Sequence, residues 1–337
     1  MPGIEIDGSV GEGGGQILRT ALALSLITQT PFRIRNLRQG RANPGLRRQH
    51  LTALRAAGRI GNADVDGDAV GSTEVQFKPG RTEAGQYEFD VGTAGSTTLV
   101  FQTVLPPLLE CSGPSSVTLA GGTHNHGGPP WDFIESVFLP VLRRMGARVD
   151  AQLEKYGFAP AGGGRWRAEI VPGRLARVEL RERGEFTGRG VRAIVSNLPV
   201  SIAERELSVV RAGLKWADST YRVETVESAG PGNILTIGAS FRHASELSTG
   251  FGQRGIPAEK VAQQALDCWQ RFEQADVPVG EHLADQLLLP MAIAGGGSML
   301  TTEPTLHTTT NAEVISMFLP IRFRMSQLDS RRWEISA

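Results

Sequence analysis

Residues 4–28, IEIDGSVGEGGGQILRTALALSLIT, hold three patterns in one run. The opening IEIDG alternates apolar and acidic side chains, as a half-buried strand does. GEGGG follows as a turn that only a chain with little side-chain bulk makes easily. QILRTALALSLIT is then apolar enough to be a buried helix. A second strand, FRIRNL, leads into the polar loop RQGRANPG and the helix LRRQHLTALRAAG, and two strand-like pieces, ADVDG and STEVQFKPG, close the set. The order is strand, helix, strand, helix, strand, strand.

The same order returns downstream. QYEFDVG, TAGSTTLVFQTVLPPLLE, SSVTLAGG, the loop THNHGGPP, the helix WDFIESVFLPVLRRMG and the strands RVDAQLEKYGF and GGRWRAEIVP make a second copy. A third copy reads as split. ARVELRERGEF supplies its first strand; HLADQLLLPMAIAGG, the strand SMLTTEPT, the loop LHTTTN, the helix AEVISMFLPIRFRM and a final strand RRWEISA complete it much later. Between them lie two helical patterns, SIAERELSVVRAGLKW and PAEKVAQQALDCWQRF, and two strand patterns, YRVETVES and NILTIGASF. The expected fold is therefore α+β, with three repeated βαβαββ units forming a large domain and a smaller α+β domain inserted in the third. The boundaries are expected at 1–184 and 277–337 for the large domain and 185–276 for the insert.

Copies packed about a common axis would bring corresponding loops together. Those between second strand and second helix carry Arg38 and Arg41, His124 and His126, and His307. Their convergence is where a cleft is expected.

Composition excludes some functions. With 35 basic and 35 acidic residues the chain has no net field to attract a polyanion, so any nucleic-acid contact must come from a local patch. Two distant cysteines, Cys111 and Cys268, form no zinc-type pattern. The start MPGIEIDGSV lacks a basic-then-apolar segment, and the longest apolar runs are broken by charge or proline, short of the roughly 20 residues a membrane helix needs. A soluble protein of the reducing cytoplasm, without a membrane partner, is expected.

Several residues could do chemistry. The glycine loop either cradles phosphate on the backbone N–H groups that open a helix, or merely allows a tight turn. Glu12 inside it would suit a hard divalent cation bridging phosphate oxygens. Arg38, Arg41, Arg47 and Arg48 crowd one loop and helix start, with Arg19 on the preceding helix. Guanidinium forks grip phosphates in pairs of hydrogen bonds. Arg38 and Arg41, in the loop, lean towards anion binding; Arg47 and Arg48 are equally explained as a solvated helix face. His124 and His126 sit two residues apart without a third metal ligand in spacing, which favours loop structure or substrate contact. His282, Asp285 and Gln286 open a helix, where an acid also suits the dipole.

GEGGGQILRT, GRANPGLRRQHL, AGSTTLVFQTVLP, GPGN, HLADQLLLPMAIAG and TLHTTTN, taken in that order, resemble the motifs of the RNA 3'-terminal phosphate cyclase family over essentially the whole chain. The resemblance implies ATP-dependent conversion of an RNA 3'-phosphate to a 2',3'-cyclic phosphodiester. His307 matches the nucleophile that forms a covalent histidine–AMP, from which the adenylate passes to give an RNA(3')pp(5')A end. The resemblance further implies that Glu12 is the ligand of a divalent metal, Mg or Mn, beside ATP. Gln102, His282, Leu283, Ala284, Asp285 and Gln286 would form the ATP pocket; Arg19, Arg38, Arg41 and Gln49 would contact phosphates or the RNA end. Some relatives carry tyrosine at the position of His282, a larger ring for stacking on adenine, so nucleotide affinity and selectivity are the properties affected. The repeated units also resemble those of enolpyruvyl transferases, whose reaction needs no nucleophilic histidine. Noncatalytic relatives acting in ribosome assembly are a further alternative, against which His307 speaks.

Overall fold

The computed structural model describes residues 3–337. Along the chain run β1 (Ile4–Asp7), α1 (Gly15–Thr28), β2 (Phe32–Arg35), α2 (Arg48–Ile60), β3 (Asp64–Asp66) and β4 (Val75–Lys78). Next come β5 (Gln86–Asp90), α3 (Thr97–Leu109), β6 (Ser115–Gly121), α4 (Trp131–Phe133), a π-helical turn (Ile134–Phe138), α5 (Leu139–Arg144), β7 (Arg148–Lys155) and β8 (Gly164–Val171). After β9 (Val178–Leu180) follow β10 (Phe186–Ser196), α6 (Ser201–Leu214), β11 (Tyr221–Thr225), β12 (Gly232–Phe241), β13 (Ser245–Phe251) and α7 (Ala258–Ala275). The chain closes with α8 (Glu281–Ile293), β14 (Gly297–Thr301), α9 (Leu306–Phe318), β15 (Arg324–Gln327) and β16 (Trp333–Ser336).

Three of the four-stranded sheets share one plan. Their orders are β1-β2-β4-β3, β5-β6-β8-β7 and β9-β14-β16-β15, and in each the first pair is parallel and the other two antiparallel. The crossover between the parallel strands is a helix in the first two, as parallel pairing requires. The helices close a ring: α3 packs on α2, α8 on the π-helical turn, and α1 on α9. One continuous apolar core spans all three sheets.

The fourth sheet, β11-β10-β12-β13, has a different order and, with α6 and α7, its own apolar core of Val191, Leu207, Leu235, Trp269 and neighbours. Arg183 clamps the chain where it passes into and out of this segment: its Nε donates to the Val277 carbonyl at 2.9 Å and its Nη2 to that of Phe272 at 3.0 Å.

Five local expectations change. ARVELRERGEF forms a strand only over Val178–Leu180; it then leaves one sheet and Phe186 begins another. The strand expected over SMLTTEPT stops at Thr301. LHTTTN is not a loop but the first turns of α9, because the Thr305 side chain caps the helix by accepting from the Thr308 N–H at 3.3 Å. That helix ends before Pro320, and the residues read as its continuation become β15. The helix WDFIESVFLPVLRRMG contains a π turn immediately before Pro140, whose ring cannot continue the regular ladder.

Glu206, in the core of the fourth sheet, has burial push its carboxyl up to about 7 from 4.5, with only the Asn233 amide donating to it at 3.0 Å. Its native pKa lies above the unfolded one, so its contribution is present below 4.5 and lost as pH rises through about 7. Glu206→Gln, neutral throughout, should therefore raise the melting temperature at pH 8 and leave it nearly unchanged at pH 4.5, with a difference of roughly 3 kcal/mol at full shift. Thermal unfolding at the two pH values checks this.

Candidate active site

A cavity of about 430 Å³ opens among α1, α3, α8, α9, the π-helical turn and β13. Its volume is that of a site for a small ligand. Its lining is mixed: Leu99, Leu105, Phe133, Phe138, Leu247 and Phe251 are apolar, and Gln16, Arg19, Gln102, Asp285, Gln286 and His307 are polar or charged. His126 and His282 also line it. Prolines in α3 and α8 contribute to this shape. Pro106 and Pro290 lack the N–H that would pair the carbonyls of Gln102 and Gln286, four residues earlier in each helix.

His307 lies in the first turn of α9, half exposed, facing α1. Its Nδ1 is 2.8 Å from Gln16 Oε1, and Gln16 Nε2 donates to Asp285 Oδ1 at 2.5 Å. Asn311 Nδ2 donates to the same carboxylate oxygen and to the Asp285 carbonyl, at 3.1 and 3.0 Å. Thr20 completes the set by donating to Asn311 Oδ1 at 2.8 Å. Burial lowers the His307 pKa, Asp285 opposes that, and Arg19 and Arg41 add to it. The imidazole is therefore neutral at neutral pH. Burial raises the Asp285 pKa against the hydrogen bonds and charges that favour its ionised form. Arg19 is brought by burial to about 10, with Asp285 opposing, and stays a cation at pH 7.

The glycine loop brings Glu12 to the same place. Gly11 has φ of +65°, and a Cβ there would lie 2.2 Å from Thr310 Oγ1, the atom that accepts the Glu12 N–H at 2.9 Å. Only glycine allows this approach without strain. Glu12 is nearly buried; its Oε1 is 3.7 Å from His307 Nε2 and pairs with Arg41, whose Nη2 also donates to the Glu12 carbonyl at 3.0 Å. Glu12 Oε2 is buried with no hydrogen-bond partner among the described residues. An orphaned carboxylate oxygen of this kind fits a cation, and one carboxylate plus substrate phosphates is how Mg is commonly held. No cluster of three or more His, Cys, Asp or Glu side chains suited to a metal occurs among the described residues, so any such ion would rest chiefly on Glu12 and on its ligand's phosphates.

The structure separates the other sequence candidates. Leu283 and Ala284 point into the apolar core and do not line the cavity. Arg38, with φ of +55°, donates from Nη1 to the carbonyls of Asn43 and Gly45, at 2.7 and 2.9 Å, and so curls its own loop. Gln49 accepts the Ser96 N–H at 3.1 Å, tying the start of α2 to the cap of α3. Neither lines the cavity. Of the converging histidines, His126 reaches it but His124 turns inward. His124 Nε2 lies 2.6 Å from Asp132 Oδ2 and its ring stacks on Tyr156 at 4.9 Å. Asp132 also pairs with Arg192 of β10, which holds Glu224 of β11. Burial pushes Asp132 up, but His124 and Arg192 together hold it down at about 2.

Gln16, Asn311 and His50 were not singled out in the sequence. The first two carry no charge, Gln16 inside a helical pattern and Asn311 at the end of the stretch read as the loop LHTTTN; only the three-dimensional contacts mark them. His50, buried beneath Gly15, accepts the Arg47 N–H on Nδ1 at 3.1 Å, and burial followed by Arg19, Arg38 and Arg47 lowers its pKa to about 3. It is a neutral packing residue. Gln286 Oε1, also at the cavity, is buried and has no hydrogen-bond partner among the described residues.

The imidazole of His307 and the guanidinium of Arg19 at the cavity, with the Glu12–Arg41 pair beside His307 but outside its lining, form a group of side chains suited to holding phosphates. The model of the RNA 3'-terminal phosphate cyclase family matches residues 10–325. Proteins of that name from Ectopseudomonas mendocina and Koribacter versatilis are 45% and 48% identical to the chain, covering 97% and 96% of it and 96% and 92% of their own lengths. The Salmonella typhimurium protein of the same name is 44% identical over 97% of the chain and 96% of its own length. The chain belongs to the RNA 3'-terminal phosphate cyclase family, which is a family of enzymes. No helix among the described residues is long and apolar enough to cross a membrane.

Asp132→Ala would leave both His124 and Arg192 without their shared partner. It should cost about 3–5 kcal/mol in chemical denaturation, as loss of one member of a buried ion pair does, whereas His126→Ala should leave stability within about 0.5 kcal/mol of the parent.

Proposed function

We propose that the protein converts the 3'-phosphate end of an RNA to a 2',3'-cyclic phosphodiester at the expense of ATP. The observation that carries this reading is His307, neutral and with Nε2 facing Glu12, at the rim of a nucleotide-sized cavity in a chain of this family. Adenosine lies beside Leu99, Phe133 and Phe251, with Gln102, His282 and Gln286 at its edge. The triphosphate lies towards Arg19, Arg41 and the start of α1.

In the first step the lone pair of the imidazole forms a bond to the α-phosphorus. The bond from that phosphorus to the bridging oxygen breaks, and its electrons leave with pyrophosphate. A phosphoramidate is a sound relay because protonation of the ring makes it a good leaving group again. An oxygen of the RNA 3'-phosphate then attacks the adenylate phosphorus, and the N–P bond breaks to give RNA(3')pp(5')A. Finally the neighbouring 2'-hydroxyl attacks the 3'-phosphorus, its proton passing to solvent water, and the bond from that phosphorus to the bridging oxygen breaks with its electrons leaving on AMP. That closure is intramolecular, so orientation supplies most of what it needs. A divalent cation, Mg or Mn, held through Glu12 when bound, would offset charge on the phosphates. Arg19 and Arg41 do the same from the protein side.

Arg38 and Gln49 shape the loop from which Arg41 projects, and the RNA end approaches across that exposed arginine face. Leu283 and Ala284 serve the nucleotide by fixing α8, whose Asp285 and Gln286 face the cavity. We read the three like-ordered sheets as copies of one βαβαββ unit, with residues 185–276 inserted in the third and 1–184 and 277–337 forming the large domain. The cytoplasm is the compartment this reading favours.

Incubation with α-labelled ATP and a divalent metal, without RNA, should leave label on the denatured protein, stable to base and labile to acid. The label should be absent with His307→Ala and after chelation of the metal. An unlabelled wild-type protein across several metals would overturn the covalent mechanism.

A further inference from the structure

The hydrogen-bond chain behind His307 settles which of its nitrogens is free. The Asp285 backbone carbonyl can only accept, so the atom of Asn311 facing it must be the amide nitrogen. The same nitrogen donates to Asp285 Oδ1, and the Asn311 oxygen turned the other way takes the Thr20 hydroxyl. Asp285 Oδ1 is thus an acceptor, and the Gln16 atom 2.5 Å from it is the amide nitrogen. The Gln16 oxygen is left to face His307 Nδ1 at 2.8 Å. An oxygen without a hydrogen calls for a donor, so Nδ1 carries the proton and Nε2 carries the lone pair.

We infer that Gln16 is a positioning residue: relaying the orientation imposed by Asp285, it holds His307 as the Nδ1–H tautomer with Nε2 free beside Glu12. No charge is needed for this task, and a neutral amide has an advantage. A carboxylate in direct contact with Nδ1 would draw the ring towards imidazolium, whereas an amide oxygen fixes the tautomer and leaves the ring neutral. The elements engaged, α1, α8 and α9, come from the first and third sheets' segments, so the nucleophile is set only when the ring of helices has closed. His50 provides an internal contrast. Its Nδ1 accepts the Arg47 N–H, which makes it the opposite tautomer, with the proton on Nε2.

The importance of this tautomer for catalysis rests on the reading of His307 as nucleophile; the tautomer itself can be measured without ATP. Long-range ¹H–¹⁵N correlation spectra of the full-length, histidine-labelled protein should show one ring, absent in His307→Gln, with Nδ1 protonated and Nε2 bare. In Gln16→Met, which keeps the side-chain length, that ring should shift towards the Nε2–H form, and the melting temperature should fall because the buried Asp285 carboxylate loses one of its donors. Adenylate formation should slow roughly 10–100-fold, the usual consequence of removing a partner that orients a reactive imidazole. Asp285→Asn retains an acceptor oxygen for Gln16 and should keep the Nδ1–H tautomer. A wild-type His307 protonated on Nε2, or a tautomer indifferent to Gln16→Met, overturns the inference. The wild-type spectrum decides even if the variants fail to fold. Loss of the adenylate assay in a wild-type protein with the stated tautomer counts against the nucleophile reading alone.

Discussion

A carboxylate withdrawn from water must be given partners, and at Asp285 this requirement organises the centre of the molecule. Burial raises its pKa, and hydrogen bonds from Gln16 and Asn311, with the charge of Arg19 nearby, offset the cost. Those partners lie on α1 and α9, while Asp285 lies on α8. Satisfying one buried group therefore fixes three helices against each other, and the cavity is the space left between them. The side chains that α1, α8 and α9 present to that space, Gln16, Arg19, Asp285 and His307 among them, take their positions from this pairing.

The lining of the cavity is mixed in polarity. Apolar side chains of α3, the π-helical turn and β13 line the cavity together with the polar and charged Gln16, Arg19, His307 and Asn311 of α1 and α9. The segment between β9 and α8 contributes through β13 alone among its strands, with Leu247, Thr249 and Phe251. It is held in place at two points, where Arg183 clamps its ends and where Arg192 joins Asp132. His124 belongs to this second joint. Its stacking and its bond to Asp132 make it a structural group, although its neighbour two residues on reaches the cavity.

Much of the architecture could be read along the chain because strand alternation, glycine turns and helix lengths recur in one order. The strands β10 and β13 escaped that reading. SELSTGF places Glu246, Ser248 and Gly250 on its buried side and turns Leu247, Thr249 and Phe251 to the cavity, so its apolar face serves the cavity and its core face looks polar. The start of α9 escaped for a similar reason: LHTTTN is rich in residues that favour loops, and only the Thr305 cap and packing on α1 and α8 make it helical. Of the site, the charged members and His307 were legible because their chemistry is carried by residue type. Gln16 and Asn311 were not, since an uncharged amide, whether in a helical pattern or at the end of a polar loop, is an ordinary surface residue until something is placed opposite it.

The sequence by itself determined the repeating order of elements, the glycine loop that admits Glu12, and the presence of a histidine in a motif shared with the RNA 3'-terminal phosphate cyclase family. These are properties of local backbone freedom and residue chemistry. Only the tertiary structure decided which loop residues face the cavity, that His124 is buried and His126 is not, and which nitrogen of His307 is free. Those depend on hydrogen bonds between residues nearly three hundred positions apart, Gln16 and Asp285 at a separation of 269 and Gln16 and His307 at 291. Donor and acceptor must meet in space before either has a role, and no pattern along the chain contains that distance.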